Sequence, residues 1–122
     1  MIDITGRVAE LVAETKVAQG IVTVFIHGST ASVTTLEYEP GLVQDIKELD
    51  ERIAPAGRSY AHDDTWGDAN GYAHLRAALI GPSLTVPIEN GKMTLGTWQQ
   101  IVLIDHDNRP RNREVVVQVV GE

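Results

Sequence analysis

The dipeptide Asn90-Gly91 constrains the fold more than any other stretch of this 122-residue chain. It separates two runs rich in β-branched and apolar residues, 84–88 and 92–105. Asn-Gly supplies the positive φ angles of a type I′ turn, so these runs predict an antiparallel hairpin. "HDNRPRN" then turns the second run into a third, 113–120. Gly96 interrupts the second run and predicts a bulge. Trp98, just after it, reads as core, and Gln99 then faces the opposite way, where a ligand would lie. Val115, Val116, Val117, Val119 and Val120 are nearly continuous. That is the pattern of a strand covered on both faces, by sheet packing or by a subunit contact.

The earlier part of the chain alternates strands and helices. "MIDIT" reads as a short strand. Val8, Leu11, Val12 and Thr15 recur at helical spacing, with Thr5 as N-cap and Gly20 beyond the end. "IVTVFIH" is a buried strand, "GSTAS" breaks it, and "VTTLE" is a second strand. "PGLVQDIKELDERIAP" predicts the clearest helix. Pro40 suits its first position, Leu42, Ile46, Leu49 and Ile53 form one stripe, and the charged remainder reads as solvated. Residues 58–70 are polar and aperiodic and read as loop. "NGYAHLRAALIG" predicts a short helix with Asn70 as N-cap and Gly81 past its end. The order predicts one α+β domain over 1–122, a mostly antiparallel sheet carrying about three helices.

Bulk properties narrow the function. The net charge of -7 argues against general nucleic-acid binding, which relies on Lys and Arg, and against anionic lipid. The absence of Cys excludes disulfides, thiolate metal sites and cysteine nucleophiles. No apolar run approaches the ~20 residues of a membrane span, and the N-terminus lacks signal-peptide regions, so a soluble cytoplasmic protein is expected.

Three stretches carry candidate chemistry. "HDDTWGDANGYAH" holds His62, Asp68, Asn70 and His74. On a helix starting at Asn70, His74 falls over the same face. Histidine with carboxylate suits a divalent metal or acid–base work. The alternative is a capped helix start with solvated acids. "HGSTAS" offers Ser29 and Thr30 to an anion, or is an ordinary turn. "NRPRNR" sets Arg109, Arg111 and Arg113 two apart, on one side of an extended chain. Such a cluster binds phosphate, or keeps a hairpin tip soluble.

The runs "SLTVPIENGKMTLGTWQQIVLID" and "RPRNREVVVQVVGE", with "YAHDDTWGDANGYAHLRAALIGPS" and "GIVTVFIHGSTASVTTLEYEPG", closely resemble the YjbQ-like family across almost the whole chain. The resemblance implies a β-sandwich core, a homotrimer and clefts between subunits. It also implies a thiamine-phosphate synthase activity, thought to be secondary. That reaction joins a hydroxymethylpyrimidine diphosphate to a thiazole phosphate with release of pyrophosphate. Under it, His62, Asp68 and His74 move protons or bind a divalent ion, Mg or Zn. Ser29, Thr30, Arg111 and Arg113 hold phosphate, and Asn70 and Gln99 orient a heterocycle. Two other expectations stand beside it: a non-catalytic trimer binding a metal or phosphometabolite, and a metal-dependent phosphoester hydrolase. The chain departs from the family pattern once. Gly28 stands where many members have a histidine, and His27, one residue away, is expected to point to the opposite face.

Overall fold

A computed structural model describes residues 1–122. The turn at Asn90-Gly91 forms as expected, with φ of 51° and 77°. It joins β4 (Ser83–Glu89) to β5 (Lys92–Met93) in antiparallel register, Ile88 opposite Met93. The second run does not continue as one strand. It leaves the first sheet after Met93 and resumes as β6 (Gln100–Asp105) in another. Gly96 is therefore part of a sheet-switching turn rather than a bulge, closed by Gln99 N–H donating to the Gly96 carbonyl at 3.0 Å. Trp98 rides on that turn at 72% exposed, not in the core.

The remaining strands are β1 (Ile2–Asp3), β2 (Gln19–Ile26), β3 (Ala31–Leu36) and β7 (Val115–Gly121). One sheet has the order β1-β6-β3 and the other β5-β4-β2-β7, and every pairing is antiparallel. Period-two alternation on β2 decides the packing. Val22, Val24 and Ile26 are fully buried, and Ile21 and Phe25 face out. The inward row meets Val86 and Ile88 of β4, and Ala31, Val33, Ile101 and Leu103 of the facing sheet. Val8 and Val12 of α1 (Thr5–Thr15) join this core.

β7 departs from its expected burial on both faces. It is an edge strand, paired only with β2. Val115, Val117 and Val119 pack against the core. Val116 and Val120 lie opposite Phe25 and Ile21 on the outer face, where Val120 is 60% exposed.

Four helices form instead of about three: α1, α2 (Pro40–Ile53), α3 (Ala61–Trp66) and α4 (Gly71–Ile80). α3 occupies the stretch read as loop. Six residues carry no helical periodicity, and a carboxylate sets its limits instead. Asp63 accepts from Tyr60 N–H and from Gly71 N–H, each at 2.9 Å, joining the starts of α3 and α4. α4 covers β3 through Ala73 and Ala77. No helix is long and apolar enough to cross a membrane.

A buried polar pair lies where β3 meets the end of β6: Ser32 Oγ is 2.8 Å from His106 Nε2. Burial pushes the imidazole pKa down to about 4, and Arg76 and Arg113 act in the same direction against Asp105. The unfolded chain, at about 6.5, binds the proton more readily. Stability is therefore complete above pH ~6.5 and falls as the pH drops toward 4, by about 3 kcal/mol across that window. His74, also lowered, adds to the same slope, whereas Asp107 acts only below the ordinary carboxylate range. Urea titrations at pH 7, 5.5 and 4.5 should show this decline, and His106→Gln should flatten it.

Candidate functional site

The three polar stretches separated in sequence converge at one end of the sandwich around a cleft of about 430 Å³. Gly28, Ser29 and Thr30 come from the β2–β3 turn. His62, Trp66, Asp68, Asn70 and His74 come from α3, the loop after it and α4. Asp107, Arg109, Arg111 and Arg113 come from the β6–β7 connection. The antiparallel register explains the meeting: Ala31 pairs with Asp105 and Ile26 with Val115, so both connections leave the sheets at the same end.

Asp107 ties them together, with a side chain only 1% exposed. One carboxylate oxygen accepts from Asn70 Nδ2 at 3.2 Å and Asn108 N–H at 2.8 Å. The other accepts from Thr30 Oγ1 at 2.9 Å and Arg111 Nε at 2.8 Å. Burial alone would raise its pKa, but these donors outweigh it and hold the group well below the usual carboxylate range. Asn108 Nδ2 donates to the Asp68 carbonyl at 3.0 Å, fastening the α3–α4 loop to the same turn.

Arg113 is held as firmly. Its Nε and Nη2 make a two-pronged contact with Asp105 at 3.0 and 2.8 Å, and Nη2 also donates to Thr30 Oγ1 at 2.7 Å. The Thr30 hydroxyl thus donates to Asp107 and accepts from Arg113, which makes it a positioning group. Arg111 is held only at Nε, so its two terminal nitrogens remain available to the cleft.

Position 28 would take the imidazole expected from the resemblance only with a strained backbone and a shift of the Arg113 guanidinium. Its φ is +107°, and a Cβ there would meet Arg113 Nη1 at 2.7 Å. His27 does not substitute for it. The ring packs edge-on against Phe25 at 5.6 Å on the outside of the sheet and lines no part of the cleft.

His62 and His74 stack with ring centroids 4.1 Å apart. Burial and the neighbouring His62 lower the His74 pKa, and Asp107 and Asp68 only partly oppose them. At neutral pH His74 is therefore an uncharged ring, able to accept a proton. His62 Nδ1 and Asn70 Oδ1 are buried without a partner in the chain. Asn70 does precede α4, but its side chain makes no cap bond and turns to Asp107. His62, Asp68 and His74 share the cleft wall, yet no three His, Asp or Glu side chains of the chain are grouped to hold a metal ion.

Gln99 lies elsewhere. It accepts from Gly96 N–H at 3.1 Å and donates to Thr35 Oγ1 at 3.2 Å. Thr35 is four residues along β3 from the cleft end, a distance of ~13 Å at strand rise. The proposed heterocycle contact from Gln99 is therefore corrected: it closes the sheet-switching turn. Asp107, Asp105 and the cleft position of Trp66 were not singled out from sequence. The available signal for Asp107 was an acid four residues before Arg111 in an otherwise basic turn, which reads equally as solvated loop.

Asp107→Asn should leave Arg111 facing an uncharged amide, while Arg113 keeps Asp105. Losing charge-assisted hydrogen bonds at a partly exposed pair costs about 1.5–3 kcal/mol. Chemical denaturation should show a loss of that size, with chemical-shift changes in all three converging segments; unchanged stability would mean that Asp107 does not organise the cleft.

Residues 1–122 match the family described as UPF0047 protein YjbQ-like. The chain is 41% identical over 120 residues to a UPF0047 protein of Archaeoglobus fulgidus, covering 98% of this chain and 90% of that one. It is also 41% identical to a UPF0047 protein of Methanothermobacter thermautotrophicus, over 100% and 83% of the two. Among solved structures it resembles a YbjQ-like protein of unknown function from Sulfolobus solfataricus, with TM-score 0.93 and 33% identity over 99% and 86% of the chains. A hypothetical protein from Aeropyrum pernix gives TM-score 0.92 and 35% identity, over 99% and 88%. These relatives are named as UPF0047 or function-unknown proteins, and nothing links them to thiamine-phosphate synthase, which is a different family. That finding overturns the synthase activity expected from the resemblance. The chain belongs to the YjbQ-like UPF0047 family.

Proposed function

We propose that the cleft binds the phosphate end of a small metabolite. The observation that carries this reading is the presence of Arg109, Arg111 and Arg113 on one cleft of a chain whose net charge is -7. Arg113 is paired with Asp105 and Arg111 with Asp107 through Nε, which leaves Arg109, the outer nitrogens of Arg111 and Nη1 of Arg113 as cationic donors open to the cleft. Orientation is also settled before a ligand arrives, because Asp105 and Asp107 hold two of the guanidinium planes. Preorganised arginines lose less freedom on binding and can meet a phosphate with paired N–H donors. Ser29 Oγ adds a neutral donor, and the uncharged His74 serves as proton acceptor at the bound group.

Calorimetry with inorganic phosphate tests the reading. Wild type should bind it with an affinity that weakens as salt is raised. Arg111→Ala should weaken binding at least ~10-fold, the loss of one charge-assisted bond. Gln99→Ala should leave it unchanged. Absence of any heat or cleft chemical-shift change at millimolar phosphate would exclude an anion site.

We further propose that the chain self-associates as a homotrimer through the outer face of the β5-β4-β2-β7 sheet. Ile21, Phe25 and Val120 are 44%, 38% and 60% exposed on that face, and no helix covers it. A contiguous exposed apolar patch is the usual mark of a protein contact. Light scattering should give three times the chain mass, and Phe25→Lys should reduce it to that of one chain.

A further inference from the structure

A second groove adjoins the arginine cleft. It has a volume of about 450 Å³ and shares Gly28, Ser29 and His74 with the cleft. Beyond those three, its walls are Ala31, Leu75, Ala77, Ala78 and Pro82, none of them charged. One compartment is thus cationic and polar and its neighbour is apolar, with a common wall between them.

The state of that wall decides whether one ligand spans both. Gly28 has no side chain, and its φ of +107° disfavours any other residue there. Nothing therefore projects from position 28 to divide the compartments. Arg113 Nη1 lies 2.7 Å from where a Cβ would stand, and it makes no hydrogen bond within the chain. A cationic donor is consequently presented at the opening itself. An anionic group held by the arginines would have the rest of its molecule leave over Gly28 into the groove. The alanines of α4 present a low wall there, and Leu75, 50% exposed, forms a rim. Apolar walls beside a few convergent polar groups favour a ligand with one charged end and one apolar body.

Resting on the phosphate-binding reading above, we infer that the ligand class is a phosphate monoester of an uncharged apolar group, with the phosphate on the arginines and the apolar part across Gly28 in the Leu75–Ala78 groove. Gly28 is then a specificity-determining residue, because any side chain there narrows the passage.

Calorimetry with three ligands tests this: inorganic phosphate, glycerol phosphate and phenyl phosphate. Wild type should bind phenyl phosphate at least ~10-fold more tightly than either of the others. Ala78→Trp, which fills the groove from an exposed helix position, should abolish most of that preference and leave inorganic phosphate binding unchanged. Leu75→Lys, also exposed, is a second variant that should reduce the preference. Equal affinity of wild type for all three ligands would overturn the inference and leave the anion cleft standing. So would a phenyl preference that survives both substitutions. A change in light-scattering mass on Ala78→Trp would assign the groove to a second copy of the chain, which also overturns it. Failure of inorganic phosphate itself to bind would instead remove the cleft reading on which the inference rests.

Discussion

One buried carboxylate organises the functional end of this protein. Asp107 takes four hydrogen bonds, from Asn70, Asn108, Thr30 and Arg111, and these donors come from all three segments that form the cleft. An ionised carboxylate away from water is unfavourable unless every lone-pair direction is met. The requirement works in both directions here. The donors keep Asp107 charged, and the charge keeps the β2–β3 turn, the start of α4 and the arginine turn in fixed relation. Asp105 does the same for Arg113 through a two-pronged contact. The two aspartates therefore act as supports for the arginines, not as ligand groups.

The sandwich supplies the frame for that arrangement. β2 and β3 are consecutive in sequence but lie in different sheets, as do β6 and β7. A connection that crosses between sheets must pass over the edge of the core. Two such crossings at the same end place their polar residues side by side. The apolar alternation on β2, with Val22, Val24 and Ile26 inward, leaves the register no freedom to slip, since a shift of one residue would expose all three. The cleft geometry thus inherits its precision from the packing of valines and isoleucines a few residues away.

What could be read from sequence follows from how locally each feature is determined. The Asn90-Gly91 turn, the β-branched run of β2 and the helical spacing on α1 and α2 are local signals, and each appears in the fold, although β2 is buried on one face only, with Ile21 and Phe25 exposed. The grouping of His62, Asp68, Asn70 and His74 with Ser29, Thr30, Arg111 and Arg113 was also legible as three polar stretches. Their contact depends on long-range register. Gln99 was misplaced because residues 92–105 keep strand-like composition throughout, and nothing in that composition marks a change of sheet after Met93. α3 was read as loop because Asp63, eight residues before Gly71, sets its boundary through space. Asp107 was passed over because an acid in a turn looks solvated until its four donors are brought to it.

The outer face of the four-stranded sheet raises a different physical question from the cleft. Alternation along β2 and β7 should place polar residues outward if that face met water, yet Ile21, Phe25, Val116 and Val120 stand there in paired register. Thr23 and Gln118 are the interruptions. α2 shows the same imbalance: Leu49 and Ile53 of its stripe are half exposed, and the helix has no buried residue. Period and amphipathicity are satisfied in both elements, and what a single chain lacks is the surface that would cover them. The continuous valines of β7 make sense on those terms. Their inner row packs against the core, and their outer row, with Val120 60% exposed, stands uncovered on the single chain. Cleft and sheet face thus show two different ways of using the same strands: buried charges order the turns at their ends, and the outer face leaves apolar surface uncovered.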